Sequence, residues 1–270
     1  MKKRKKISIL IVLIVMVLFL SGCFGSSWII TLKSDGSGTI VMEYRIDKQI
    51  IEMMQSMGAG EGELPASNED FIDPEEMNSM AASIGEGVRF VSARPKADSD
   101  NAYGYTAVFE FDDINMLTID PMEVAPETGD EGGGNDTPFS FRFTPGRTAE
   151  LIIVMDQDEG SEATAVVEPE VETEGEDDEM MAEMMKPYFQ SMSFLVQVVI
   201  DGEIQDTNAH YRDENTVTLM DMDMGKIIDN DELFKRVMSS DNMDDEAMIQ
   251  QLEQAGIRIE SEEEVVVRFR

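Results

Sequence analysis

The sequence predicts an α+β domain, a mostly antiparallel sheet with packed helices, behind a short apolar segment that is removed. Three observations predict this class. Alternating apolar and polar residues at 103–111 and 139–143 are typical of strands with one buried face. Apolar residues spaced three and four apart, as in 48–57, are typical of amphipathic helices. Stretches rich in glycine and aspartate separate these runs and predict turns.

The first half of the chain is predicted to begin with a β-hairpin after a very short tether at 24–27. The hairpin strands, 28–32 and 39–46, flank a Ser-Asp-Gly-Ser-Gly turn. Pro74 suits the first turn of a helix. The elements predicted next are helices at 48–57 and 74–84 and strands at 88–93, 103–111, 139–143 and 151–155.

Residues 156–178 are predicted to form an acidic disordered linker, because they hold 11 acids and no base. The elements predicted after it are helices at 179–190, 229–238 and 244–254 and strands at 194–200, 216–224, 257–259 and 265–269. The chain is therefore divided into a signal peptide (1–22), a first part of one domain (23–155), an acidic linker (156–178) and a second part of the same domain (179–270).

The N-terminal segment has the composition of a signal peptide. Five basic residues follow Met1, and residues 7–20 are aliphatic except for Ser8. This apolar run is shorter than the roughly 20 residues that a helix needs to cross a bilayer. Leu20, Ser21 and Gly22 then precede Cys23, the only cysteine of the chain.

The Leu-Ser-Gly-Cys pattern resembles the lipobox of bacterial lipoproteins. The resemblance implies that the signal peptide is cut before Cys23 and that the Cys23 thiol receives a diacylglyceryl group, with the new amino terminus often acylated. Two or more acyl chains make a stable membrane anchor. The alternatives are an uncleaved anchor, or an ordinary secretory signal followed by an unrelated cysteine.

The mature chain is strongly acidic. Residues 1–22 carry five basic side chains and no acid, so their removal leaves 16 basic and 56 acidic side chains and a formal charge of −40. Such a surface repels phosphate backbones, which excludes nucleic acid as a partner. It also repels anionic lipid head groups, which explains why a covalent anchor would be useful. Adaptation to a saline habitat and cation binding both remain as reasons for the acidity.

Three short stretches resemble the LppM-domain family of bacterial lipoproteins: Asp-Gly-Ser-Gly at 35–38, the strand 104–113 ending Phe-Glu-Phe-Asp-Asp, and Asp-Gly-Glu-Ile at 201–204 leading to Thr-Val-Thr at 216–218. Leu219 stands where the family often has tryptophan, and the acidic stretch 156–178 is not typical of the family. The resemblance implies an envelope lipoprotein with an α+β domain, for some members of which lipid or glycolipid binding has been proposed. It implies no catalytic residues.

Candidate chemistry is sparse, and the residues taken singly indicate no catalytic residue, metal ligand or cofactor. The one histidine, His210, is interpreted as a surface residue rather than a base. The acids at 221, 223, 229 and 232 loosely match a calcium loop, but Lys226 stands where such a loop needs glycine. A strand with methionine on one face and aspartate on the other explains Asp221 and Asp223 better.

Methionine is unusually frequent, with 20 in the mature chain. Clusters at 180–185 and 53–57 have three interpretations: a methionine-rich core, a copper(I) site, or an adaptable apolar groove. The sequence therefore predicts a non-catalytic cell-envelope lipoprotein that binds lipid or an envelope protein at the membrane surface. The alternative is a divalent-cation-binding protein. The predicted location is the extracytoplasmic side of a bacterial membrane, and the outer membrane if the cell has two.

Overall fold

The computed structural model describes most of the chain after Cys23. The described residues are 24–48, 51, 67–69, 72–96, 102–121, 139–155, 186, 190, 192–239 and 246–270. Within them the chain forms 13 strands and four α-helices.

Eight strands form the larger sheet: β1 (Phe24–Leu32), β2 (Gly38–Asp47), β3 (Arg89–Pro95), β4 (Ala102–Phe111), β8 (Met192–Ile200), β10 (Arg212–Asp213), β11 (Thr216–Asp223) and β12 (Arg258–Ile259). Their order is β10-β11-β8-β1-β2-β4-β3, and β12 also pairs with β11. Strand β1 lies inside this sheet, antiparallel to β2 and parallel to β8. The chain before residue 156 and the chain after residue 178 therefore contribute neighbouring strands.

Five strands form the smaller sheet: β5 (Thr118–Ile119), β6 (Phe139–Thr144), β7 (Ala149–Met155), β9 (Ile204–Thr207) and β13 (Glu264–Phe269). They are ordered β5-β6-β7-β13-β9, and all pairings in this sheet are antiparallel. A 3-10 turn at Ile114–Met116 leads from β4 to β5.

The two sheets bury their apolar faces in one core. Alternate residues of β2 and β7 are buried, as the period of a strand requires. Phe109 and Phe111 from the larger sheet and Leu151 and Phe269 from the smaller sheet belong to this core and have no more than 2% of their surface exposed. Burial of such side chains is the main contribution to folding, which suits a chain with no cysteine pair for a disulfide.

Helix α1 (Pro74–Ile84) packs into this core through Met77, Ala81 and Ile84. Its N-terminus is capped by Asp73, whose carboxylate accepts a hydrogen bond from the Glu75 N–H.

The remaining helices form a second, smaller apolar cluster with the residues that follow them. They are α2 (Met224–Ile228), α3 (Asp231–Ser239) and α4 (Glu246–Gln254). Ile228, Phe234 and Leu252 belong to this cluster, and the half-buried Met222 packs against both clusters. Among the described residues, each helix is too short or too polar to span a bilayer.

The predicted α+β class is wrong, because the described chain is mainly β with two sheets. The alternation within a strand such as β6 indicates a buried face but does not say what covers it. In this fold residues of both sheets share one apolar core, to which α1 adds Met77, Ala81 and Ile84. The helices predicted at 48–57 and 179–190 lie outside the described residues, apart from single positions.

Candidate functional site

The first strand begins at Phe24, the residue directly after Cys23. Residues 24–27, predicted to be a tether, are the first residues of β1, and their pairing continues without a break: Gly25 is opposite Arg45, and Phe24 is opposite Met192. Neighbouring Cα atoms are about 3.8 Å apart along a chain. A lipid on Cys23 would therefore place this end of the larger sheet at the membrane surface. Cys23 itself lies outside the described residues, and its lipidation stays a prediction.

Basic side chains near this end of the sheet contact neighbouring strands. The Lys48 Nζ lies 4.8 Å from the centre of the Tyr103 ring, in a cation–π arrangement. The Lys96 Nζ donates a hydrogen bond of 2.7 Å to Glu43 Oε2. These contacts hold the ends of β2, β3 and β4 together close to where β1 begins.

A second candidate site lies between the two sheets, where Glu260 is buried directly after β12. Its side chain has no exposed surface, and one carboxylate oxygen, Oε1, lies 2.7 Å from His210 Nδ1. The other oxygen, Oε2, accepts a hydrogen bond of 2.8 Å from the His210 backbone N–H. A buried carboxylate is costly unless it is paired and hydrogen-bonded, and His210 supplies both a partner charge and a donor.

The backbone around Glu260 supplies further donors to the same carboxylate. The N–H groups of Ser261 and Glu262 donate to Oε1 at 2.9 and 3.3 Å. The Glu260 N–H donates to the Leu219 carbonyl, which holds this residue against the edge of β11. Successive backbone N–H groups converging on one anion form a compact anion-binding turn. Here the anion is a side chain of the protein itself.

The charge around His210 favours its protonated form. The hydrogen bond and the attraction to Glu260 raise the pKa of His210, and Glu262 and Glu253 add smaller attractions. With an acceptor at Nδ1, the ring proton is assigned to that nitrogen. About half of the His210 side chain is exposed, so solvent screens part of these attractions.

Tyr211 extends the cluster to helix α4. Its hydroxyl donates a hydrogen bond of 2.6 Å to Glu253 Oε1, and its ring centre is 6.4 Å from that of His210. Burial, together with this hydrogen bond, raises the pKa of Tyr211 to about 12. Tyr211 is therefore a hydrogen-bond donor, not an acid, near neutral pH.

A histidine held at Nδ1 by a carboxylate has the orientation of a general base. Glu260, however, also accepts hydrogen bonds from three backbone N–H groups, at His210, Ser261 and Glu262. These hydrogen bonds explain why Glu260 can be buried, because its carboxylate is the acceptor at the centre of a turn. Sequence reasoning missed Glu260 because it lies in an acidic run, where its composition does not differ from that of solvated neighbours.

The acids that loosely matched a calcium loop are placed differently by the structure. Asp223 caps α2, accepting a hydrogen bond from the Gly225 N–H, and Asp229 ends the same helix and accepts one from Gln190 Nε2. Across the described residues, no group of three histidine, cysteine or acidic side chains is arranged to hold a metal ion.

The methionine clusters at 53–57 and 180–185 lie outside the described residues, so the copper and groove interpretations stay predictions. The methionines of β11 are placed by the structure. Met220 is buried in the main core, and residues 220–223 pair with β8 in continuous register, after a register shift between Thr218 and Met220. Met222 is half-buried between the two apolar clusters.

Comparison with known proteins gives one structural likeness. The NMR structure of the folded domain of LppM from Mycobacterium tuberculosis is similar over 93% of this chain and 92% of its own, with a TM-score of 0.33 and 8% sequence identity. No family model matches the chain, and no curated protein matches its sequence. A likeness of this size assigns neither a family nor a function.

Proposed function

We propose that the mature chain is a non-catalytic, LppM-like lipoprotein of a bacterial cell envelope, anchored through Cys23, that binds a lipid or a protein partner at the membrane surface. The observation that carries the proposal is the start of β1 at Phe24, inside the larger sheet. With no spacer between Cys23 and the sheet, an anchored domain stands directly on the bilayer.

The charge of the chain supports a covalent anchor. A formal charge of −40 after residue 22 opposes adsorption to anionic lipid head groups. Buried acyl chains contribute about 0.8 kcal/mol per CH₂ group, so two or three chains outweigh this repulsion. Lipidation therefore keeps an acidic domain at the membrane, which is most useful if its ligand is also there.

The position of β1 supports a rigid connection between the anchor and the domain. Nine residues of β1 pair in register with β8, and eight pair with β2. An anchor attached to a central strand restrains the orientation of the whole domain, whereas a flexible tether would let it rotate. A fixed orientation suits a protein that presents one surface to a partner in or on the membrane.

Replacement of Cys23 tests the anchor. In the full chain, Cys23→Ala should abolish incorporation of labelled fatty acid and shift the protein from the membrane fraction to the soluble fraction or to an unprocessed precursor. Ser27→Ala is the matched control, because it changes a nearby residue of β1 and leaves the cysteine in place. Normal acyl labelling of Cys23→Ala would refute the proposed anchor.

Native mass spectrometry of the mature protein, extracted from membranes in mild detergent, tests the binding role. A lipid adduct beyond the covalent acyl chains supports lipid binding, and a co-purified protein that cross-links to the domain supports a protein partner. A bare mass after incubation with envelope lipid extract, without any cross-linked protein, contradicts both. Saturable stabilisation by calcium would instead favour the alternative of a cation-binding protein.

A further inference from the structure

Two chain segments that cross between the sheets meet at Glu260. The β9–β10 crossover (residues 208–211) leads from the smaller sheet to the larger one, and the β12–β13 crossover (residues 260–263) leads back. The bonds of Glu260 join them: its carboxylate accepts from the His210 N–H in the first crossover and from the Ser261 N–H in the second.

The joint depends on one titratable pair. Glu260 is buried, and the His210 imidazole beside it, a cation when protonated, has its Nδ1 2.7 Å from the carboxylate. Among the described residues, the other charged groups that act on His210 are Glu262 in the second crossover and Glu253 on α4, both negative. The adjacent Tyr211 is neutral near pH 7, and Arg258 acts on Tyr211.

We propose that His210 and Glu260 form a pH-dependent latch between the two crossovers, which is tightest when the imidazole is protonated. A neutral imidazole can still donate from Nδ1 but no longer offsets the buried negative charge. Deprotonation therefore weakens the contact between the two crossovers without removing it. The latch is independent of the proposed lipid anchor and of any ligand.

The sign of the pH dependence follows from linkage. A histidine whose pKa is higher in the closed state than in the open state binds its proton more tightly when the latch is closed. The stabilisation is fully present below the ordinary pKa of about 6.5 and is lost as the pH rises through the higher pKa of the closed state. Opening of the crossovers is therefore expected to increase as the pH rises above about 6.5.

The chain has one histidine, so its titration can be measured directly. In the full mature chain in detergent micelles, the imidazole Hε1 signal followed by NMR from pH 5 to 9 should give a pKa above 6.5. Glu260→Gln should lower that pKa, because the partner charge is removed. A wild-type pKa at or below 6.5 overturns the latch, and this measurement stands even if Glu260→Gln does not fold.

Amide hydrogen exchange measures opening of the crossovers themselves. After correction for intrinsic exchange rates, protection at the His210, Ser261 and Glu262 amides should fall between pH 5.5 and 8.5. Each pKa unit corresponds to a tenfold change in an equilibrium constant. Protection should therefore fall by a factor of 10 to the power ΔpKa, where ΔpKa is the measured pKa of His210 minus its pKa in the open state, about 6.5. Protection at Ile40, in the β1–β2 ladder, should not show this step. Constant protection at all three latch amides overturns the proposal.

Two variants distinguish the pH-dependent latch from a contact whose strength does not depend on pH. Asn208, in the first crossover, is bonded to β13: its Nδ2 donates to the Glu264 carbonyl and its Oδ1 accepts from the Val266 N–H. Its side chain does not titrate. Asn208→Ala should reduce protection by a similar factor at every pH and keep the pH step. His210→Asn should abolish the step, and a step that persists in His210→Asn contradicts the assignment.

Discussion

Gly38 of β2 lies directly opposite Phe111 of β4, and a Cβ atom at Gly38 would be 2.5 Å from the Phe111 ring. It would also be 2.0 Å from the carbonyl oxygen of Thr31, which belongs to the backbone and cannot rotate away. At this end of the β1–β2 hairpin, atoms of β1 and β4 therefore leave no room for a side chain on Gly38 of β2.

We predict that Gly38→Ala destabilises the protein by about 3 kcal/mol, in the upper range for overpacking of a core. The measurement is urea unfolding followed by Trp28 fluorescence. Gly87→Ala is the control: Gly87 has a φ of +83°, but no atom lies within 4 Å of the place that a Cβ atom would occupy, so only the backbone conformation is strained. That strain costs about 1 kcal/mol. Equal losses in the two variants would contradict the close contact at Gly38.

The indole of Trp28 predicts a second stability effect. Its Nε1 donates a hydrogen bond of 2.8 Å to Ser26 Oγ, and both residues are buried. Ser26→Ala leaves a buried N–H without its acceptor, which costs about 1 to 3 kcal/mol. Trp28 is the only tryptophan, so its emission should also change in the folded variant.

Ser27 supplies the matched control for Ser26. It is the next residue of β1, on the opposite face, and its buried Oγ makes no hydrogen bond to the part of the chain that the structure describes. Removing a hydroxyl without a partner should be neutral or slightly stabilising. A loss for Ser27→Ala as large as that for Ser26→Ala would mean that the hydrogen bond to Trp28 is not the cause.

The strands show how far the sequence predicts this fold. Alternation in β4 and β6 predicts them closely, because one face of each is buried and the period of a strand is two. The short strands β9 and β10 were not predicted. Four and two residues are too few for a period, and their state depends on pairing with β13 and β11.

The start of β1 and the hydrogen bonds of Glu260 could not be predicted from local sequence either, because both depend on residues far away in the chain. Gly25, Ser26 and Ser27 have the composition of a linker, but strands on both sides supply their hydrogen-bond partners. Glu260 and His210 are 50 residues apart, and only the meeting of two crossovers brings them together. The signal pattern ending at Cys23 is local, which is why the sequence alone predicts it.

Cleavage between the two halves of the chain tests how they are joined. We predict that a protease specific for glutamate cuts first within 156–178, where the sequence places a linker. The two fragments should co-elute in size-exclusion chromatography without denaturant, because β1 pairs with β8 and β7 pairs with β13 across the cut. The control is the same digest in urea, where the fragments should separate. Separation in native buffer would indicate two independent units.

Salt has two opposing effects on the stability of this protein. It screens the repulsion among the acids of a chain with a formal charge of −40, which stabilises the fold. It also weakens ion pairs such as Arg89–Asp112 and Arg268–Glu150, which destabilises it. These pairs are largely exposed, and exposed pairs contribute at most about 1 kcal/mol each.

The relief of repulsion should therefore outweigh the loss of ion pairs. The melting temperature should rise as the sodium chloride concentration increases from about 0.02 M to about 1 M. Over this range the Debye length falls from roughly 20 Å to about 3 Å. Most of the rise should come below about 0.3 M, because repulsion between distant charges is screened first. Sucrose at matched osmolality is the control, since it stabilises compact states without screening charge. A melting temperature that falls or stays constant in salt would mean that the exposed pairs stabilise this fold more than its excess negative charge destabilises it.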